Sequence, residues 1–264
     1  MFKNSLHEFI SLPSSRLVRS WVGTFLFLLF PVAGVTQPLA SLNEATHQSS
    51  RTLRYKPDGE DFVIINGDRK FNRALYGSHT GFRLETSDVP EFALYLPRMG
   101  GNLTFGLTNG KESIRLNNAR QIECRYRPGS RIYTITDPIL RKGELCITAL
   151  ALADADAAIW KIESKNIPAN LQLTWIYGGL ADKRFSREGD MGVDPADSFD
   201  LKPEYCTGNE YKIYNNTFVV TFGQQSKTGE RTLSGHFPEG SVLHTDHLPA
   251  LHGNVLLNKE QYIL

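Results

Sequence analysis

Four aspartates, Asp190, Asp194, Asp197 and Asp200, with Glu188 and Glu204 beside them, fall on the polar, glycine-bearing run from Gly178 to Gly208. Calcium takes six to eight oxygen ligands, and carboxylates on an irregular backbone can wrap it. The four aspartates therefore form a candidate cation loop, with Ca2+ as the one cofactor the chain suggests. Their spacing does not match the EF-hand loop, and a solvated acidic loop is the plain alternative. Glycosidic acid/base chemistry needs two carboxylates about 5 to 9.5 Å apart in space, and spacing along the chain does not reveal such a pair. Loops of this length inside a compact domain are usually functional or disordered, and Phe185, Phe199 and Tyr205 favour an ordered loop that packs on something.

His236, His244, His247 and His252 crowd the C-terminal part. A helix would be needed to put His244 and His247 on one face; Pro249 and Gly253 oppose one, so they read as surface loop histidines. Cys124, Cys146 and Cys206 are the only cysteines, so at most one disulfide can form, and buried small apolar side chains are the simpler reading. Gly-x-Ser-x-Gly, a phosphate-binding Walker loop and a dinucleotide glycine fingerprint are all missing. No complete active site emerges. Asn102-Leu103-Thr104 and Asn215-Asn216-Thr217 match the glycosylation acceptor pattern, which matters only in a eukaryotic host.

The elements around these residues read as strands. Short alternating runs separated by turn residues follow one another from residue 51, and helical periodicity is nearly absent. Phe62 to Ile65 runs into Asn66-Gly67, which suits a tight hairpin turn. Glu91 to Leu96 and Asn102 to Leu107 flank a looser turn at Pro97 to Gly101, and Pro128-Gly129 joins the Ile122, Cys124, Tyr126 strand to Ile132 to Ile135. Longer strands follow at Glu144 to Leu152, Ala157 to Ser164 and Leu171 to Tyr177, then a pair at Tyr211 to Tyr214 and Phe218 to Phe222 joined through Asn215-Asn216. Trp160 and Trp175 could stack on sugar rings, but alternation places both in the core. About a dozen strands exceed one comfortable flat sheet, so the expected fold is all-β: a large antiparallel two-sheet sandwich, supersandwich-like, with one long acidic loop.

Residues 21–35 form an apolar run behind Lys3, Arg16 and Arg19. It is shorter than the ~20 residues that span a bilayer and ends on Pro31 and Gly34, the pattern of a cleaved signal peptide. The expected division is a signal peptide at 1–36, a linker at 37–50, a sandwich domain at 51–258, and the start of a following region at 259–264. Export to a periplasm or the cell exterior follows, without stable membrane insertion after cleavage. Removing residues 1–36 takes three of 29 basic and one of 28 acidic residues, leaving 26 against 27. So balanced a surface disfavours nucleic acid, which requires a basic face.

Two stretches carry a family resemblance. Arg54-Tyr55-Lys56-Pro57-Asp58-Gly59, Phe71-Asn72-Arg73-Ala74-Leu75-Tyr76-Gly77 and Pro90-Glu91-Phe92-Ala93-Leu94-Tyr95-Leu96-Pro97 form the first. Arg184-Phe185-Ser186-Arg187-Glu188-Gly189-Asp190 through Leu201-Lys202-Pro203-Glu204-Tyr205-Cys206 forms the second. Together they resemble the domain of unknown function 4450, which stands at the N-terminus of large secreted proteins of polysaccharide-degrading Gram-negative bacteria. The resemblance implies a complex glycan as the substrate class and, as usual partner, a following six-hairpin helical-barrel glycosidase region. After residue 225 no helical repeat is seen, so the chain reads as the N-terminal portion of a longer protein or a truncated product. The expected role is a non-catalytic accessory sandwich; a glycan-binding or adhesive envelope protein is the alternative.

Overall fold

The computed structural model describes residues 52–97, 99–181, 199–222, 229–245 and 250–264. The expected signal peptide and linker, and also Asp190, Asp194, Asp197 and His247, lie outside the described residues. Thr52–Leu264 is one compact unit built from antiparallel strands and short 3-10 turns. Among the described residues no helix is long and apolar enough to cross a membrane.

Two large sheets and one small sheet make up the fold. In the first, seven strands lie in the order β1 (Lys56–Asp58), β2 (Asp61–Ile65), β8 (Gln121–Arg127), β9 (Ser130–Thr136), β10 (Glu144–Ala151), β11 (Ala158–Lys165) and β18 (Glu260–Ile263). The second runs β16 (Val242–Thr245), β17 (Leu251–Leu256), β12 (Gln172–Ala181), β6 (Met99–Thr108), β5 (Glu91–Leu96), β4 (Arg83–Thr86) and β3 (Arg73–Leu75), with β7 (Ser113–Arg115) also paired to β6. The third, β13 (Glu210–Tyr214), β14 (Thr217–Phe222) and β15 (Arg231–His236), was not anticipated by the two-sheet expectation.

Alternation explains why these strands form one sandwich. Ile122 and Cys124 on β8, Tyr133 and Ile135 on β9, Leu145 and Ile147 on β10, and Trp160 and Ile162 on β11 are all buried and turn one way. Leu103, Phe105 and Leu107 on β6, with Leu173, Trp175 and Tyr177 on β12, face them from the second sheet within one continuous core. Phe92 joins the layers, its ring meeting both Tyr133 and Trp160 edge-on at 5.6 Å. Trp160 and Trp175 are therefore core, as the alternation predicts, at 3% and 2% exposure. The third sheet caps the second, with Phe237 stacked on Trp175 at 4.2 Å. Gly253 on β17 leaves room for that indole, since a Cβ there would sit 2.5 Å from Trp175 Cε2.

Four expectations need correction. Asn66 has the positive φ of a tight turn, 49°, yet makes no hairpin. Its backbone N–H donates to Ile122 O and its side chain accepts from Ile122 N, each at 2.8 Å, which prolongs the β2–β8 pairing before the chain crosses to β3. The turn after Leu96 is tighter than expected, with Leu96 opposite Met99. Gly178–Ala181 is not loop but the end of β12, still paired with β6. Residues 259–264 are not set apart from the sandwich: β18 pairs with β11, Trp160 opposite Ile263, and Ile263 is 2% exposed. The apolar Ile263 closes the core at an edge that the polar Lys259-Glu260 disguises.

Candidate functional site

The acidic run contributes one described aspartate. Asp200 accepts from Lys70 Nζ at 3.0 Å, and the same ammonium lies 3.5 Å from Glu91 Oε2. Glu91, 4% exposed, also accepts from Asn102 Nδ2 at 3.1 Å and Asn117 Nδ2 at 2.8 Å. Asn102 donates in addition to Phe199 O at 2.8 Å, and Phe199 packs on Phe71 and Tyr95. This lattice fastens residues 199–206 to the outer face of β5 and β6. The cavity beside it holds about 10 Å3, room for a single water at most among the described residues. Asn102 is buried and its amide nitrogen is engaged there, which removes it as a glycosylation acceptor.

A second cluster lies inside the sandwich. Asp88, fully buried just after β4, accepts from Tyr55 Oη, from Arg54 Nη2 at 2.7 Å, from Asn72 Nδ2 at 2.8 Å and from the Arg69 N–H at 3.1 Å. Arg131 on β9, also fully buried, lies 3.7 Å from Asp88 and donates to Tyr55 Oη at 2.7 Å and Ser87 O at 2.8 Å. Tyr133 Oη donates to the same carbonyl at 2.8 Å. Burial alone would raise the Asp88 carboxyl, but hydrogen bonds from Tyr55, Asn72 and Arg54 hold it below the usual aspartate value. Burial pushes the neighbouring Cys124 thiol up to about 12, the value of an inert core thiol. All three cysteines are free, and Cys124 and Cys206 are buried. The cluster ties the segments before β1 and β3 and the end of β4 to the first sheet; Asp88 and Arg131 are out of reach of any solute, while Arg54 at the margin is 31% exposed.

Among the described residues, one open surface is the outer face of the second sheet between β7 and β16. Register brings Thr104, Ile176, His252 and His244 into one row across β6, β12, β17 and β16. Two residues along each strand, Gly106, Thr174, Asn254 and Val242 make a second row, with Arg115 of β7 opposite Gly106. The rows line a groove of about 380 Å3. Gly106 must be glycine, because a Cβ would sit 2.7 Å from Thr174 Oγ1 and 2.8 Å from Ile114 O. The His244 and His252 rings stack at 5.6 Å, inclined by 19°. Hydroxyls, an amide, two imidazoles and a guanidinium thus surround the apolar Ile176 side chain.

The histidines are where the sequence reading and the structure part most clearly. His236, His244 and His252 sit on strands, not loops, and His244 meets His252 across a strand pair rather than along the chain. Among the described residues no three His, Cys, Asp or Glu side chains gather as a metal site. Thr174 and Asn254 carried no signal in the sequence except their place at outward positions of alternating strands, and Thr104 stood out only as the last residue of a glycosylation acceptor pattern.

Fold and groove define an all-β sandwich whose second sheet presents a polar, partly apolar-floored face. The family described as Domain of unknown function (DUF4450) matches residues 96–256, and the chain belongs to it. No curated protein matches the sequence.

Proposed function

We propose that the chain is the accessory β-sandwich of an exported carbohydrate-active protein, holding a saccharide in the groove of its second sheet without cleaving it. The groove carries this reading. Sugars offer hydroxyls that both give and take hydrogen bonds, with patches of C–H between them. The two rows match that pattern: Thr104, Thr174, Asn254 and the imidazoles supply paired donors and acceptors, and Ile176 supplies the apolar floor. Balanced surface charge suits a neutral polymer. Family membership adds the expected setting, in which the sandwich works beside a helical-barrel glycosidase, delivered to the periplasm or exterior by the leader at residues 1–36.

The test is binding of the purified chain to a panel of plant and host polysaccharides, compared with the double variant His252→Ala, Asn254→Ala. Loss of most binding in a variant that melts like the parent supports the reading. Unchanged binding in that variant, or release of reducing sugar by the parent chain, contradicts it.

A further inference from the structure

Strand β18 fills one end of a gap between two strand edges. Its Ile263 pairs with Trp160 of β11, and on its other side Leu264 and His236 of β15 exchange both backbone hydrogen bonds, at 2.6 and 2.9 Å. In an antiparallel pair, residues that exchange both bonds alternate with residues that turn their backbone groups the other way. On β15, therefore, Ser234 and Thr232 turn their N–H and C=O to the same side as His236. Along β11 the Ser164 N–H donates to Lys259 O at 3.0 Å, so Ile162, Trp160 and Ala158 turn the same way, while Ala157 O faces β10 and accepts from the Leu152 N–H at 2.9 Å. Ala158, Ser234 and Thr232 thus aim backbone donors and acceptors into the gap, and among the described residues none of the three has a backbone partner on that side.

The gap is a cavity of about 390 Å3 lined by these three residues. Ile263 and Leu264 close its near end, and Phe82, Leu103, Phe218 and Phe237 form an apolar floor. Ala158 is 4% exposed, and leaving buried backbone groups without partners is costly. The width is set by β18, which β11 and β15 flank at one strand spacing each, so the gap admits a single strand. Carrying the register of β18 onward places the first residue of such a strand opposite Ala158 and Gly235, the second opposite Ser234 and the fourth opposite Thr232. Its first and third side chains turn inward as the buried Ile263 does, and its second and fourth turn outward as Leu264 does.

We infer that this gap is a strand-addition site for a partner protein. It takes an extended segment that runs in the direction of β18, sends apolar side chains at alternate positions into the cavity, and pairs its backbone with β11 on one side and β15 on the other. A small apolar guest would cover the floor and leave the edge groups of Ala158, Ser234 and Thr232 unmet; a strand serves both. Asp156 at the far rim, held by Ser78 and Thr80, disfavours an acidic residue toward that end of the segment. The cavity shares no lining residue with the groove on the second sheet.

An end-blocked, fluorescently labelled Val-Thr-Val-Thr-Val peptide probes the site in the full chain. A saturable rise in anisotropy is expected, with the amides of Ala158, Ser234 and Thr232 shifted and protected from exchange. N-methylation of the second peptide residue, which removes the donor for Ser234 O, weakens binding about three- to tenfold, the worth of one backbone hydrogen bond. Ser234→Pro removes the N–H that faces the gap and leaves the ladder with β14 whole, since an edge strand tolerates proline on its open side; the same weakening is expected in a variant that melts like the parent. Should that variant unfold, the methylated peptide on the parent chain decides. The inference is overturned if the parent fails to bind the peptide, if the methylated peptide binds equally, if a folded Ser234→Pro binds unchanged, or if the Ala158 and Ser234 amides stay unmoved. A parent chain that sediments as a dimer with those amides already protected overturns it too, because the occupant is then a second copy.

Discussion

Replacing Asp88 by alanine takes the only carboxylate from a buried cluster and leaves Arg131, itself fully buried, with an uncompensated charge. Tyr55, Asn72, Arg54 and the Arg69 N–H lose their shared acceptor at the same time. Breaking a buried pair by removing one partner costs about 3–5 kcal/mol, a large part of the whole stability of a domain. For a sandwich of this size that corresponds to a fall in melting temperature of roughly 6–20 °C. The direction with pH follows from the carboxyl's lowered value. Asp88 ionises more readily folded than unfolded, so its contribution is complete above the ordinary aspartate value near 3.8 and fades as pH falls through the lower folded value. Urea denaturation of parent and Asp88→Ala, followed by tryptophan fluorescence at several pH values, measures both effects. At neutral pH the gap between them is expected to be several kcal/mol, and it narrows in acid. A neutral-pH difference under about 1 kcal/mol, the worth of an exposed ion pair, would refute the reasoning.

Gly106→Val drives side-chain atoms into Thr174 and the Ile114 carbonyl, and a loss of roughly 1–3 kcal/mol is expected in urea, the scale of overpacking, together with loss of saccharide binding. A thiol reagent at mildly alkaline pH should modify the half-buried Cys146 first and leave Cys124, its thiol pushed up to about 12, unreacted until the chain is unfolded; equal rates in the native protein would count against the core assignment. Deleting residues 259–264 uncovers Trp160 and removes the buried Ile263, itself worth about 1.5–3 kcal/mol, and also cuts the paired backbone bonds between Leu264 and His236. A lower melting temperature and dye-binding apolar surface are expected, whereas unchanged melting would return those residues to a separate region.

The strands were legible because alternation is a local signal. Ile122, Cys124, Tyr133, Ile135, Leu145 and Ile147 declare one buried face without reference to any partner, and Pro128-Gly129 and Asn215-Asn216 fall where the hairpins turn. The crossing at Asn66 was not legible, because the same dipeptide serves a hairpin turn or a strand end, and the choice lies with Ile122, distant in the chain. Strand order escapes the sequence for the same reason. It is strand order that makes the groove: Thr104, Thr174 and His252 are far apart along the chain and become neighbours only through β6, β12 and β17. The acidic run drew attention by composition, yet its described aspartate, Asp200, answers an ammonium of the same chain.

Titration of the isotope-labelled chain with saccharide fragments, read by amide and imidazole resonances, tests the proposed role most directly. Shifts that saturate together and cluster on Thr104, Thr174, Asn254, His244 and His252 are expected, with the interior Trp175 indole unmoved. Saturable shifts elsewhere on the surface with this face silent, or no response to any saccharide in the panel, would contradict it.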